Sequence, residues 1–344
     1  MIYHFYKADC FRASRVLMQN RWEEASILIH KSNNDTYEIN KPFGVRHLLK
    51  TTINSKRGDV MICHAQSALP YLILGAVVKL MTRRKIKFVY DIHDLHEKEV
   101  NSASLSKTHI RYIVLSFLET LAFKIKSIKK ITVSHGLAKT MASKYHSEQP
   151  VVVKNISTQP AATTISLSNR LNDVIVFFGT RERVPLDIIA ALSKAGIGLH
   201  LYGKDITQDW LVSKIGGGQI EHVKFFGEYD PDDLGFLCKY KALIIYSPDD
   251  NSLNFRYSLP NKLFQALSNG LVVVVSKNFE EMTGTFSNSA SIITVDKGNF
   301  IYGIKRAIAD RPQKDADMVL DQIITAHEEN RINYLCAIGL SQYN

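Results

Sequence analysis

Short runs of β-branched and aromatic residues alternate along the chain with longer stretches of helical apolar spacing. Strands buried on both faces and joined by covering helices produce this alternation, so it predicts parallel α/β sheets. In the first half the strand-like runs are IYHFY (2–6), ASILI (25–29), DVMIC (59–63), KFVYDI (87–92), KITVS (130–134) and VVVKN (151–155). The stretch STQPAATTISLSNRLN is poor in large apolar residues and predicts a linker over 158–172. The pattern then restarts with DVIVFFG (173–179), GLHLYGK (198–204), HVKFFG (222–227), KALIIYS (241–247), LVVVVS (271–276) and SIITV (291–295). Two doubly wound α/β domains follow, over 1–157 and 173–325. A final helical segment, 326–344, is expected to pack back toward the first domain. Ligands in such sheets bind beyond the carboxyl ends of the strands, which places the expected site between the two domains.

Length and composition agree with that division. A chain of 344 residues exceeds what one core usually supports, and 45% hydrophobic with 22% charged residues excludes a disordered or fibrous class. His4, Lys7, Asp9 and Arg12 interrupt the opening apolar residues, so no cleaved leader is expected. The most apolar segment, Leu69 to Val78, is too short to cross a bilayer and reads as a buried helix. Cys10, Cys63, Cys238 and Cys336 are scattered without ligand spacing, which predicts a reduced, cytoplasmic protein without zinc.

Charge changes the picture more. The net charge of +10 is uneven: residues 1–157 hold 25 Lys and Arg against 12 Asp and Glu, and the remainder 18 against 21. A basic first half points to an anionic partner such as a membrane surface at the inner face of the cytoplasmic membrane. Zinc-finger, helix-turn-helix and RNP patterns do not accompany the charge, so nucleic acid is not the expected partner.

The stretch richest in chemistry is YSPDDNSLNFRYSLPNKLFQALSNGLVVVVS, residues 246–276. A strand ends near Tyr246, a polar loop follows, and Pro260 suits the first turn of a helix that Gly270 closes. The helix start places free N–H groups, with Asn261 and Lys262 beside them, at the carboxyl edge of a sheet, where they can hold a diphosphate.

The run RYSLPNKLFQALSNGLVVVVS resembles the YSLPNKLFEYLAAGLPVV segment of family 4 ("group 1") glycosyltransferases, which have the GT-B architecture of two Rossmann-like domains facing across a cleft. VYDIHDLHEKE (89–99), VSHGLAKTM (133–141), VVVKNIS (151–157), FFGTRERVPLDIIAAL (177–192) and HVKFFGEYDPDDL (222–234) are similar to further segments of that family, in the same order. The likeness covers roughly residues 55–285. It implies that Gly179, Arg181 and Arg183 lie in the loop that contacts the donor diphosphate, helped by Lys262 and Asn261. Where the family carries two glutamates, this chain has Tyr257 and Gln265; Gln265 can still hydrogen-bond a ribose, and Asn254, Arg256 or Asp250 are the alternatives for the donor sugar. His93 matches the histidine that approaches the donor sugar, with Asp94 beside it. His64, Asp91 and Glu97 complete the acceptor side, and Asp91, Asp94 or Glu97 would be the base of an inverting enzyme. The resemblance implies a retaining hexosyl-type glycosyltransferase that needs no metal, acting on a nucleotide diphosphate sugar and a lipid-linked or polysaccharide acceptor in cell-surface glycan synthesis. The alternatives are a nucleotide-sugar epimerase of the same architecture, or a catalytically silent subunit that supports a partner transferase.

Overall fold

The computed structural model describes residues 1–6, 14–23, 26–30, 41–42, 45–95, 107–156, 170–216, 220–230, 233–246, 252–286, 289–309 and 313–340. The chain divides into two compact units, Met1–Asn155 with Glu328–Asn344, and Ile156–His327.

The first unit runs β1 (Ile2–Tyr6), α1 (Ser14–Arg21), β2 (Ser26–His30), β3 (Lys41–Pro42), α2 (Val45–Asn54), β4 (Val60–His64), α3 (Leu69–Thr82), β5 (Lys87–Ile92), α4 (Lys107–Lys124), β6 (Ile128–Thr132), α5 (His135–Tyr145) and β7 (Val151–Val152). Its parallel sheet has the order β3-β2-β1-β4-β5-β6-β7. Period-2 alternation sends Ile2, Val60, Ile62, Val89, Ile131 and Val153 into one shared core cluster.

The second unit runs β8 (Leu171–Phe178), α6 (Leu186–Lys194), β9 (Gly198–Tyr202), α7 (Gln208–Ile215), β10 (Val223–Phe225), β11 (Tyr240–Ile245), α8 (Leu253–Arg256), α9 (Asn261–Ser268), β12 (Val272–Ser276), α10 (Glu280–Thr285), β13 (Ile292–Val295), α11 (Phe300–Ile308) and α12 (Gln313–Ile338). Its sheet order is β10-β9-β8-β11-β12-β13, all parallel. Ile175, Phe177, Ala242, Ile244, Val272 and Val274 feed one core cluster, while Val176, Phe178, Leu243, Ile245, Val273 and Val275 feed the other. That double burial is why these strands read as unbroken apolar runs.

The division falls within α12, whose last turns belong to the first unit. There Asn330 exchanges two hydrogen bonds with the backbone of Lys154, at 2.6 and 2.7 Å. Those bonds explain why the strand expected over 151–155 stops at Val152: the Lys154 amide and carbonyl are satisfied by a side chain instead of a ladder. β6 starts two residues before its expected position, at Ile128, which already pairs with Phe88 of β5, and the Lys130 ammonium turns back to the carbonyls of Phe123 and Ile125. β8 starts at Leu171, inside the stretch predicted as linker, and the rest of that stretch through residue 169 lies outside the described residues. Among the described residues no helix is long and apolar enough to cross a membrane.

Candidate functional site

In the second unit, β8 delivers the chain at its carboxyl end to Gly179, whose φ of +141° suits a residue without Cβ. A short 3-10 turn, Arg181–Arg183, follows. The Gly179 amide donates to Tyr202 O at 3.0 Å, which ties this loop to the end of β9. Gly203 completes the junction: a Cβ there would stand 2.1 Å from Gly179 O, so only glycine lets the two loops touch.

At the same carboxyl edge α9 starts after Pro260, which as N-cap has no side chain to satisfy the first amides. Leu263 N reaches back to Pro260 O at 3.0 Å, and the Asn261 and Lys262 amides precede it. The Asn261 Oδ1 is buried without a hydrogen-bond partner. One turn on, at i+4 and on the same helix face, lies half-buried Gln265.

Lys262 turns its ammonium over the Phe177 ring, 4.9 Å from the centroid, and close to the position a Cβ of Gly179 would take, at 3.9 Å. Burial, and then the charge of Arg183, push its pKa down to about 8. The Arg183 guanidinium lies 4.0 Å above the Phe255 ring, which orients it from α8. Two cations are thus held near each other at the start of a helix whose dipole is positive there, an arrangement that favours an anion.

Other residues of this set do not join that cradle. Arg181 is exposed and pairs with its neighbour Glu182 at 3.1 Å. Arg256 is engaged by Glu280 of α10 at 2.5 Å and lies over the Tyr257 ring, so neither it nor Tyr257 takes up the position of a free sugar-binding carboxylate. Asn254 lies half-buried in α8, and Asp250 lies outside the described residues. A recess of about 580 Å³, lined by Asp173, Lys241 and Lys305, opens at the amino ends of β8 and β11, opposite the cradle.

In the first unit the sheet carries a polar layer at its carboxyl edge. On one face β1 presents Ile2 and His4, β4 Val60, Ile62 and His64, and β5 Val89 and Asp91, with His93 continuing the alternation. The apolar members fill the core and the titratable ones meet each other at the edge. Asp91 is fully buried and is the hub. Arg15 Nε donates to both of its oxygens at 2.9 Å and Nη2 to one at 2.6 Å. Gln19 Nε2 at 2.9 Å, His64 Nδ1 at 2.9 Å and His93 Nε2 at 3.3 Å complete the set. Burial alone would raise the Asp91 pKa, but the charges of Arg15 and His93 and the bonds from His64 and His93 hold it well below the usual carboxylate value.

That carboxylate dictates the tautomers behind it. Because it only accepts, His64 carries its proton on Nδ1, and burial above all pushes the His64 pKa down to about 3, so the ring is neutral. Its bare Nε2 then accepts from His4 Nδ1 at 2.9 Å. The other nitrogen of His4 faces the Glu23 carboxyl at 2.8 Å, and the Tyr334 hydroxyl of α12 donates to the same carboxyl.

His93 stands at the open end of this chain. Its side chain is 20% exposed, while Asp91 behind it is closed to solvent. With Nε2–H aimed at Asp91, Nδ1 is the ring nitrogen left to face a ligand. Asp91 itself has no access to an acceptor hydroxyl, so its position behind His93 corrects the expectation of a direct base. His64 is held on both nitrogens and has neither one turned to a ligand. Asp94 is exposed, and its carbonyl receives Gln66 Nε2 at 3.2 Å; its side chain does not enter the cluster. Glu97 lies outside the described residues.

His64, Asp91 and His93 offer ligand atoms within 4.8 Å of one another. Arg15 lies on the same carboxylate, and every nitrogen facing Asp91 carries a proton that bonds to it. A cation there would displace those protons and sit against a guanidinium, so the residues fit a hydrogen-bonded cluster better than a metal site.

No family profile and no curated protein matches the chain in sequence. Solved structures do match it in fold. A TarM mutant from S. aureus in complex with Fondaparinux, alpha-GlcNAc-glycerol and UDP superposes with a TM-score of 0.62 at 13% identity, over 86% of this chain and 58% of that one. Another TarM structure is covered to 54%, so the chain spans little more than half the length of these relatives. A UDP-forming alpha, alpha-trehalose-phosphate synthase from Burkholderia xenovorans gives 0.60 at 8% identity over 99% of both chains. T4 phage BGT, as a mutant bound to UDP-glucose, gives 0.58 at 13% identity over 98% and 99%. The chain therefore has the GT-B fold, built from two Rossmann-like units.

Proposed function

We propose that the chain is a glycosyltransferase that moves a hexosyl group from a nucleotide diphosphate sugar to a hydroxyl of a lipid-linked or polysaccharide acceptor, without a metal and with retention at the anomeric carbon. The observation that carries the reading is the pair Lys262 and Arg183 at the start of α9. The half-buried Lys262 ammonium, with the Arg183 guanidinium near it at a helix start, makes a positive site, and the negative groups of a diphosphate suit it. During transfer the bond from anomeric carbon to phosphate oxygen breaks and charge grows on the leaving diphosphate. The cradle stabilises that charge, which is the work a metal does in other transferases. Asn261 and Gln265, aligned on one face of α9, are assigned to the nucleoside, with the buried Asn261 oxygen as acceptor.

His93 is assigned to the acceptor hydroxyl or the donor sugar, through Nδ1, the nitrogen that Asp91 does not engage. In the retaining reading the leaving phosphate takes the acceptor proton and His93 positions the sugar, while the Asp91 carboxylate is occupied by its own partners.

A thermal-shift series with UDP, GDP, ADP and CMP tests the donor half. One nucleoside diphosphate at ~100 times its Kd stabilises the protein by about 2.7 kcal/mol. No shift with any of them removes the reading and leaves the silent-subunit alternative. Incubation with the sugar donor alone separates transfer from epimerisation, because an epimerase turns over without acceptor. The anomeric configuration of the product, read by NMR, decides retention.

A further inference from the structure

Two helices of the first unit expose large apolar side chains. In α3 these are Val77, Leu80 and Met81, with Leu80 80% and Met81 78% exposed. In α4 they are Ile110, Ile113, Val114 and Phe117, the last 62% exposed. Each set follows i, i+3, i+4 spacing and forms one stripe per helix. The opposite stripes serve the core, through Leu69, Leu72 and Gly75 in α3 and Leu115, Ala122 and Phe123 in α4. The helices pack against each other. Because β4, β5 and β6 step across the sheet in one direction, right-handed crossovers put α3 and α4 in the same layer. The two stripes therefore share an outer surface.

Charge frames that surface. Arg83, Arg84 and Lys85 follow α3, and Lys124, Lys126 and Lys129 lie at and beyond the end of α4; all are exposed. Both helices run from the carboxyl to the amino edge of the sheet, so the two clusters meet at one end of the stripes. The described acidic residues between 45 and 130 are Asp59, Asp91, Asp94 and Glu119, and only Asp94 is exposed, at the opposite edge. Glu119 is buried, accepting from Tyr90 and Tyr145 at 2.8 and 2.5 Å.

We propose that this α3–α4 face docks on an anionic lipid bilayer, with the apolar stripe entering the boundary of headgroups and acyl chains and the cations meeting headgroup phosphates. Isolated exposed apolar residues are ordinary, but a contiguous stripe beside six exposed cations, with Glu148 near Lys130 as an acid at their margin, matches a surface that is apolar inside and negative at its rim. A second copy would bring the same cations to the interface, so charge disfavours it. The inference rests on the transferase reading only in naming where a lipid-borne acceptor is met, and vesicle binding needs neither donor nor acceptor.

The test is cosedimentation of the full chain with vesicles of phosphatidylcholine alone or of equimolar phosphatidylcholine and phosphatidylglycerol. The wild type pellets with the anionic vesicles and is released as salt rises. The triple variant Leu80→Glu, Met81→Glu, Phe117→Glu loses about tenfold or more in partitioning, with unchanged circular dichroism and unchanged nucleotide thermal shift. The variant Arg83→Gln, Arg84→Gln, Lys85→Gln flattens the salt dependence. Equal partitioning of wild type and triple variant overturns the proposal, as does wild type that stays in solution with both vesicles. A wild-type dimer in solution that the triple variant converts to monomer overturns it in favour of a second copy. Loss of nucleotide binding in every protein with vesicle binding intact would sink the transferase reading alone.

Discussion

Lys262 is the residue at which the donor reading is most exposed to measurement. Its half-buried ammonium, close to Arg183, titrates near pH 8, within reach of ordinary buffers. Only the protonated amine attracts a diphosphate, so affinity for the preferred nucleoside diphosphate stays flat below that pH. It then weakens toward about tenfold per pH unit above it. Calorimetric titration across this window checks the profile, and Lys262→Met removes the inflection and weakens binding about 10–100-fold. Linkage gives an independent readout. Between about 8 and the ordinary value of 10.5 the unfolded chain still binds the proton that the folded one has released, so this lysine makes unfolding less favourable as pH rises through that interval. At the acceptor side two neighbours separate chemistry from support. His93→Ala lowers turnover about 10²–10⁴-fold with donor affinity unchanged. Arg15→Ala leaves the Asp91 charge buried and unpaired, and lowers stability by about 3–5 kcal/mol in chemical denaturation.

Elements bring these residues together through turns more than through strands. The loops after β8 and β9 meet where Gly203 faces Gly179 O, and a methyl group has no room there. Gly203→Ala therefore pushes the Gly179 loop away from Lys262. The expected result is a loss of about 1–3 kcal/mol in stability and weaker nucleotide binding in the same preparation. Unchanged binding would show that the loop contact and the cradle are independent. The strands were legible in the sequence because residues on both faces of β8, β11 and β12 are buried, leaving continuous apolar runs with polar ends. The start of α9 was legible for a similar reason, since Pro260 and Gly270 bracket it. The hub around Asp91 was half legible. HFY, ICHA and YDIHD each end an apolar period-2 row in a titratable residue, a signal that marks a polar layer but not its partners. Arg15 and Gln19 were not legible, because polar residues at i and i+4 normally mark the solvated face of a helix, and here that face is buried against a carboxylate.

At the scale of the whole chain, its two ends are joined within the first unit by a contact no local pattern announces. Tyr334 donates to Glu23 across 311 residues of sequence, which closes the relay from α12 through His4 and His64 to Asp91. Tyr334 and Ile338 also cover the cluster of Ile2, Val60, Ile62, Val89 and Ile131, while Val319 and Ile323 of the same helix belong to a core of the second unit. Truncation after His327 divides these roles. It removes the cover of the first unit, deprives Glu23 of a donor and leaves the Lys154 backbone without Asn330, yet it keeps every residue of both second-unit clusters. The expected calorimetric result is loss of cooperative unfolding in the first unit, with a surviving transition that still shifts upward with nucleoside diphosphate. Limited proteolysis of the same protein should cut within residues 1–155 before it cuts the second unit. Tyr334→Phe is the graded form: it keeps the packing, removes one bond to a buried carboxyl and costs about 1–3 kcal/mol. A thermogram unchanged by truncation would mean that the first sheet holds its polar edge without α12, and that the relay ends at Glu23.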